Sequence, residues 1–168
     1  GDYYVGGTEE LAYHNPLQIL NEEVSKIDNY RLLGSFYTLL KFAKKFTLRS
    51  SLYSDISYTY DYLYFNANHP YGLGKGRLID NSRFTVNNTI DNVLDYNDKF
   101  GDFTVSGMLG HSFQKIASRA TMIDGNGFPS PAFDVIGVAA QIANTNGSLS
   151  EFAMESYFGR GTVAYKDK

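Results

Sequence analysis

Catalysis and metal binding need particular side chains at particular spacings, and few such spacings occur in this chain. It has no cysteine, which removes a thiolate zinc site, a cysteine nucleophile and a disulfide frame. His14, His69 and His111 lie far apart and show no metal-ligand spacing. No Gly-x-Ser-x-Gly elbow occurs. Asp55 and Asp61 share the polar side of one alternating segment. Six residues of extended chain is ~20 Å, too far for a glycosidase pair. The binding candidates are loops. In Asn68-His69-Pro70-Tyr71-Gly72, an aromatic ring beside polar donors suits sugar stacking, and an exposed turn explains the same residues. The glycines and cations of Gly72-Leu73-Gly74-Lys75-Gly76-Arg77 could hold an anion through backbone N–H groups. They lack Walker spacing. Asp124-Gly125-Asn126-Gly127 is half of a calcium loop without its bidentate Glu, and a turn fits it better. No metal, cofactor or covalent chemistry is expected, so the chain is not read as an enzyme.

The elements that carry these loops follow from alternation. From Phe46 the even positions run Phe, Leu, Ser, Leu, Ser, Ile, Tyr, Tyr, Tyr, Tyr to Tyr64. The odd positions between them are mostly polar, among them Arg49, Asp55 and Asp61. Side chains on opposite faces with period two make a one-sided strand. Eighteen steps at ~3.3 Å come to about 60 Å, against ~5–6 residues for a usual globular strand. Tyr30, Leu32, Phe36, Leu40 and Phe42 alternate before it, with only Ala43-Lys44-Lys45 between, which predicts a tight hairpin. A second hairpin is predicted on either side of a turn at residues 97–102, and a last strand from Phe152 to Tyr165. Residues 15–27 fit a short helix or an irregular lead-in equally well.

The predicted organisation is a lead-in at residues 1–28, a long hairpin at 29–65, a loop at 66–82, a hairpin at 83–118, a loop at 119–150, and a strand with a turn at 151–168. The expected fold is all-β, an antiparallel up-and-down meander of about five long strands. The 168 residues are about one domain. Hydrophobic residues at 43% and charged residues at 20% look globular rather than disordered. Tyr (14) and Phe (12) are abundant without Trp, which favours strands. The net charge of −3 gives no basic footprint for nucleic acid. No run approaches the ~18 apolar residues of a membrane helix. Gly1-Asp2-Tyr3-Tyr4 has neither the basic start nor the apolar stretch of a signal peptide.

Short turns at one end and long loops at the other are the layout of an outer-membrane barrel. Lipid cannot satisfy a free strand edge, and small barrels close with about eight strands. Five strands would therefore be part of a larger transmembrane barrel with long extracellular loops. Phe42, Phe46, Tyr96, Phe100, Phe103 and Tyr165 would form the interfacial girdle beside the short turns. The alternative is a soluble all-β carbohydrate-binding module, with the same apolar faces as its core.

The ending Ser156-Tyr157-Phe158-Gly159-Arg160 … Tyr165-Lys166-Asp167-Lys168 resembles a stretch of SusC/RagA-type TonB-dependent outer-membrane transporters of Bacteroidetes. There a Ser-aromatic-Gly-Arg segment leads to a Tyr-Lys-Asp-Lys turn. Gly161-Thr162-Val163-Ala164 replaces the family's commoner Val/Ala-Asn-Tyr wording. Phe103-Thr104-Val105-Ser106-Gly107-Met108-Leu109-Gly110-His111-Ser112 and Asn15-Pro16-Leu17 resemble the family in the same order. The resemblance implies a mid-barrel portion of about 22 strands around an N-terminal plug. It implies the bacterial outer membrane, with lipid around the barrel, a TonB complex acting through other parts of the chain, and a SusD-like surface lipoprotein. It implies a glycan or peptide substrate. His69, Tyr71, Lys75, Arg77, Asp124, Asn126 and Phe128 would contact substrate or partner from the two long loops. Arg49, Asp55, Asp61 and Arg160 would face the lumen.

Overall fold

The computed structural model describes residues 16–166; His14, Asn15, Asp167 and Lys168 lie outside them. A helix α1 (Pro16–Glu22) leads into strand β1 (Glu23–Phe42). Strands β2 (Phe46–Phe65), β3 (Arg77–Phe100), β4 (Phe103–Asn126) and β5 (Gln141–Tyr165) follow. The five form one sheet in the order β1-β2-β3-β4-β5. Consecutive strands pair and run antiparallel, so the expected all-β meander is the observed fold.

Proline at the first helical position suits a helix start, since its missing N–H has no partner there anyway. The helix gives way to strand at Glu23, earlier than residue 29. The loops are correspondingly shorter than expected. The first covers residues 66–76 rather than 66–82, and the second 127–140 rather than 119–150. The turn at 97–102 shrinks to Gly101-Asp102, because Asn97–Phe100 stays in β3. These segments are rich in Asn, Ser and Gly, which composition assigns to loops. Ladder hydrogen bonds with a neighbouring strand hold them extended without any apolar face.

The chain divides into two compact units. One holds residues up to Tyr30, Tyr58–Phe84 and Arg119–Leu149, with both long loops. The other holds Arg31–Ser57, Thr85–Ser118 and Ser150–Lys168, with the short turns.

In the short-turn unit, pairing sorts side chains by face. Phe42 stacks on Phe46 with ring centroids 5.4 Å apart, and Phe46 lies 4.9 Å from Tyr96. Phe103 lies 5.0 Å from Tyr165. The opposite face carries polar pairs. The Ser112 hydroxyl donates to Asp91 at 2.6 Å, Gln114 donates to Asn87 at 3.0 Å, and Thr85 meets Ser118 at 3.0 Å. The Phe158 ring packs over Gly110, where a Cβ would overlap it unless the ring turned away.

Little of the sheet is buried. Every residue of β1 after Glu23 is exposed, and β5 is exposed except at Ser156 and Ala164. Leu32, Leu33, Phe36 and Leu40 are each more than half exposed. The buried hydrophobic residues are Tyr62, Tyr64, Phe65, Leu78 and Phe128, all in the long-loop unit. A soluble module would need its core along the apolar faces, and in the short-turn unit the described residues place none there.

The β1–β2 turn stores backbone strain. Ala43 (φ 50°) and Lys44 (φ 55°) both adopt the left-handed conformation, which costs a non-glycine residue about 1 kcal/mol or more. Replacing the pair by Asn-Gly (Ala43→Asn, Lys44→Gly) should stabilise the intact protein by about 1 kcal/mol or more, read as a higher urea midpoint for folding into lipid vesicles. Nearby, Lys45 Nζ meets Asp98 at 2.6 Å and holds that carboxyl below its ordinary 3.8. A depressed carboxyl stabilises the fold above its unfolded value, and that contribution disappears as pH falls through the lowered one. Asp98→Asn should therefore flatten the loss of stability below about pH 4, measured as urea midpoint against pH.

Candidate functional site

The loop at residues 66–76 closes on its own backbone. His69 N–H donates to Asn66 O at 2.9 Å, Gly72 N–H to His69 O at 2.8 Å, and Lys75 N–H to Gly72 O at 3.0 Å. A Cβ on Gly72 would overlap the Asn66 carbonyl, so glycine is needed at that close approach. His69 caps the 3-10 turn at Pro70–Gly72, where its Nδ1 accepts from Tyr71 N–H at 3.1 Å. Nδ1 must be unprotonated to accept, which puts the proton of the neutral ring on Nε2. The imidazole is 3% exposed and stacks on Phe65 at 4.8 Å. It fastens the loop. Tyr71 is 53% exposed, and Lys75 is exposed beside it.

The second loop is bound to the first. Phe128 N–H donates to Lys75 O at 2.9 Å and Gly127 N–H to Gly76 O at 3.1 Å. Arg77 grips Asp124 with two bonds of 2.9 and 2.7 Å, and this bond keeps the guanidinium firmly protonated. The pair is mostly shielded from water, so each charge depends on the other. Phe128 packs edge-on against Tyr64 at 5.6 Å, in a cluster with Tyr62 and Leu78. Tyr60, Ile136 and Ala139 lie against it. Burial, then Asp80, pushes the Tyr60 phenol up to about 12. Burial also raises Tyr62, whose hydroxyl donates to the Asp134 carbonyl at 3.2 Å.

The expected contact residues thus divide. Arg77, Asp124, His69 and Phe128 hold the loops together. The physical reason is burial: an aromatic or charged side chain in a Gly- and Pro-rich loop is a natural anchor for that loop. Asn126 ends β4 and is half-buried. Tyr71 and Lys75 are exposed. Of the residues expected on the polar face, Asp55 takes two bonds from Arg31 at 2.9 and 2.7 Å. Arg49 lies over the Tyr37 ring at 5.2 Å. Arg160 lines a small cavity of about 130 Å³ with Asp95.

Asp61 belongs to a larger concavity of about 410 Å³, all within the long-loop unit. Thr59, Asn81, Arg83, Met122 and Asn146 line it as well. Asn81 donates to Asp61 at 3.4 Å. Thr59, Asn81, Arg83, Met122 and Asn146 come from four strands and were not singled out from sequence. Their common signal is register, since odd positions of β2 and β3 pair onto one face.

No family model and no curated protein matches the chain. Solved structures do. The RagAB peptide transporter matches with a TM-score of 0.82 and 15% identity, over 89% of this chain and 17% of that one. The RagAB peptide importer matches in its closed-closed state (TM-score 0.80, 15% identity, 86% and 17%) and its open-open state (0.79, 15%, 88% and 17%). The fold is that of a RagAB transporter segment. This chain spans about a sixth of the length of the RagAB chains it matches.

Two variants test the fastening of the loops in the intact protein. Phe128→Ala should cost about 3 kcal/mol locally and expose residues 127–140 to trypsin-independent proteases such as proteinase K. Asp124→Ala strands a shielded guanidinium and should cost about 3 kcal/mol, read as faster amide hydrogen exchange in residues 75–78. Unchanged cleavage and exchange would mean that the loops are held some other way.

Proposed function

We propose that this chain is a mid-barrel segment of a SusC/RagA-type outer-membrane transporter. The observation that carries the reading is the superposition of a meander of 20–25-residue strands on the RagAB chains. Exposure supports it. The apolar positions Leu32, Phe36, Leu40 and Phe42 on one face of β1 are exposed and span about 11 residues, the length a tilted strand needs to cross lipid. In this reading that face meets the hydrocarbon. The ring clusters Phe42–Phe46–Tyr96 and Phe103–Tyr165 sit at the periplasmic interface. The face with Arg49, Asp55, Asp61 and Arg160 lines the lumen, where charge is tolerated. Strands β1 and β5 pair with further strands of the same barrel.

The function is import of a peptide or glycan, with energy from a TonB complex and capture by a SusD-like lipoprotein. The two fastened loops stand on the extracellular side, where Tyr71 and Lys75 offer surface to the lipoprotein or the substrate. The segment performs binding and conduction, and no covalent step.

Cell fractionation tests this. The intact protein should be found in the outer membrane, need detergent for extraction, migrate differently in electrophoresis before and after boiling, and bring a surface lipoprotein with it. A water-soluble monomer without detergent would sink the transporter and leave the carbohydrate-binding module in its place.

A further inference from the structure

The two long loops pack on opposite faces of β2. Phe42 stacks on Phe46 and Tyr30 on Tyr58, so the even positions of β1 and β2 share one face. Ser50 meets Asn92 and Asp61 meets Asn81, so β2 and β3 keep one register between those pairs, with no bulge to exchange their faces. Tyr60, Tyr62 and Tyr64 therefore have the strand parity of Leu32, Phe36 and Leu40, whose face meets lipid in the transporter reading. The second loop packs on that face. Phe128 lies against Tyr64, and the Tyr62 hydroxyl donates to the Asp134 carbonyl at 3.2 Å. Ile136 and Ala139 close over Gly125, where an added Cβ would stand 2.7 and 3.0 Å from them. The first loop packs on the other face. His69 and Tyr71 lie against Phe65 at 4.8 and 5.7 Å. Phe65 is an odd position of β2, like Arg49, Asp55 and Asp61.

The second loop is also short of charge. Residues 127–140 read Gly-Phe-Pro-Ser-Pro-Ala-Phe-Asp-Val-Ile-Gly-Val-Ala-Ala, with Asp134 as the one ionisable group. Phe133 is 54% exposed and Val135 60%, and Val138 is exposed beside them. An exposed apolar cluster marks contact with protein or with membrane. Side and height favour membrane. Tyr62 stands four residues beyond Tyr58 on β2. That is ~13 Å along the strand, or a rise of about 9 Å at a tilt of about 45°. With the Tyr30–Tyr58 pair at the edge of the hydrocarbon, the loop stands at the height of the lipid headgroups, on the outer side of the wall.

We infer that residues 127–140 form a membrane-surface anchor, in which Phe133, Val135 and Val138 settle into the headgroup layer from outside the barrel. The first loop is left to face the lumen. The inference rests on the transporter reading and gives the second loop a lipid partner within it. Apolar side chains at that depth gain from leaving water without having to cross the bilayer, as those of interfacial helices do. The core under Phe128 holds the loop against the wall, away from the opening.

Nitroxide labels test this in the intact protein, with any other cysteine first replaced by serine. Phe133→Cys, Val135→Cys, Tyr71→Cys and Phe36→Cys are labelled singly and reconstituted in vesicles of phosphatidylcholine and phosphatidylglycerol. All four positions are exposed, and an unaltered heat-dependent mobility shows that each variant folds. Labels at 133 and 135 should collide more often with oxygen, which dissolves in lipid, than with a water-soluble nickel chelate. The label at 71 should show the reverse preference, and the label at 36 should strongly favour oxygen. Nickel-favoured labels at 133 and 135 overturn the anchor. So do labels there that neither reagent reaches, which would mean that protein covers the loop. An oxygen-favoured label at 71 overturns the assignment of one loop to each face. In these cases an oxygen-favoured label at 36 still upholds the transporter. A nickel-favoured label at 36 fails the transporter reading itself.

Discussion

A β-strand must share its backbone hydrogen bonds with a neighbour on each side, and β1 and β5 each have one neighbour in this sheet. That single constraint organises what surrounds it. In water an unpaired edge is a site for aggregation. In lipid it is excluded altogether, because nothing there replaces the missing partner. The exposure of β1 along nearly its whole length follows from the same fact, since a strand at an edge lacks cover on one flank and here lacks it on both faces too. A sheet whose edges are continued by more sheet removes the cost at once. The RagAB chain that this sheet matches is much longer, and this chain covers 17% of it.

The two compact units solve different problems with the same alternation. In the short-turn unit, apolar positions stay exposed and rings gather beside the turns, as at Phe42, Phe46 and Tyr96. The polar face saturates its own groups through pairs such as Ser112 with Asp91 and Gln114 with Asn87. In the long-loop unit the apolar positions are covered by the protein itself. Tyr62, Tyr64 and Leu78 lie under Phe128 and Ile136. The second loop folds back to make a small core there. The tyrosines suit that duty, because a ring packs while its hydroxyl finds a carbonyl, as Tyr62 finds Asp134.

The alternation that makes the strands is local, so it was legible in the sequence. Residues 46–64 announce their two faces without any knowledge of a partner. The strand ends were not legible. Residues 141–150 read Gln-Ile-Ala-Asn-Thr-Asn-Gly-Ser-Leu-Ser, which carries turn composition and little alternation. What extends them is pairing with β4, a non-local bond that composition does not record. The same limit governs the sites. Asp61 is recognisable as polar-face, but its meeting with Asn81, Arg83 and Met122 depends on the register of three strands. Phe128 and His69 stand out by residue type alone, but their burial depends on the folded chain and is not written in the sequence.

The same division runs through the charged residues. A charge already neutralised inside the protein has little left to offer, because any new partner must replace a bond of equal quality. Arg77 with its two bonds to Asp124 is committed in this sense. Arg83, on the same face of β3, is exposed and has no ion pair among the described residues. Water answers its charge instead. A pair formed in the open would add about a kcal/mol or less, because water screens it. The pairs that hold structure are therefore the shielded ones beside the loops, and the open stretch of the face can leave its charges unpaired at little cost to the fold.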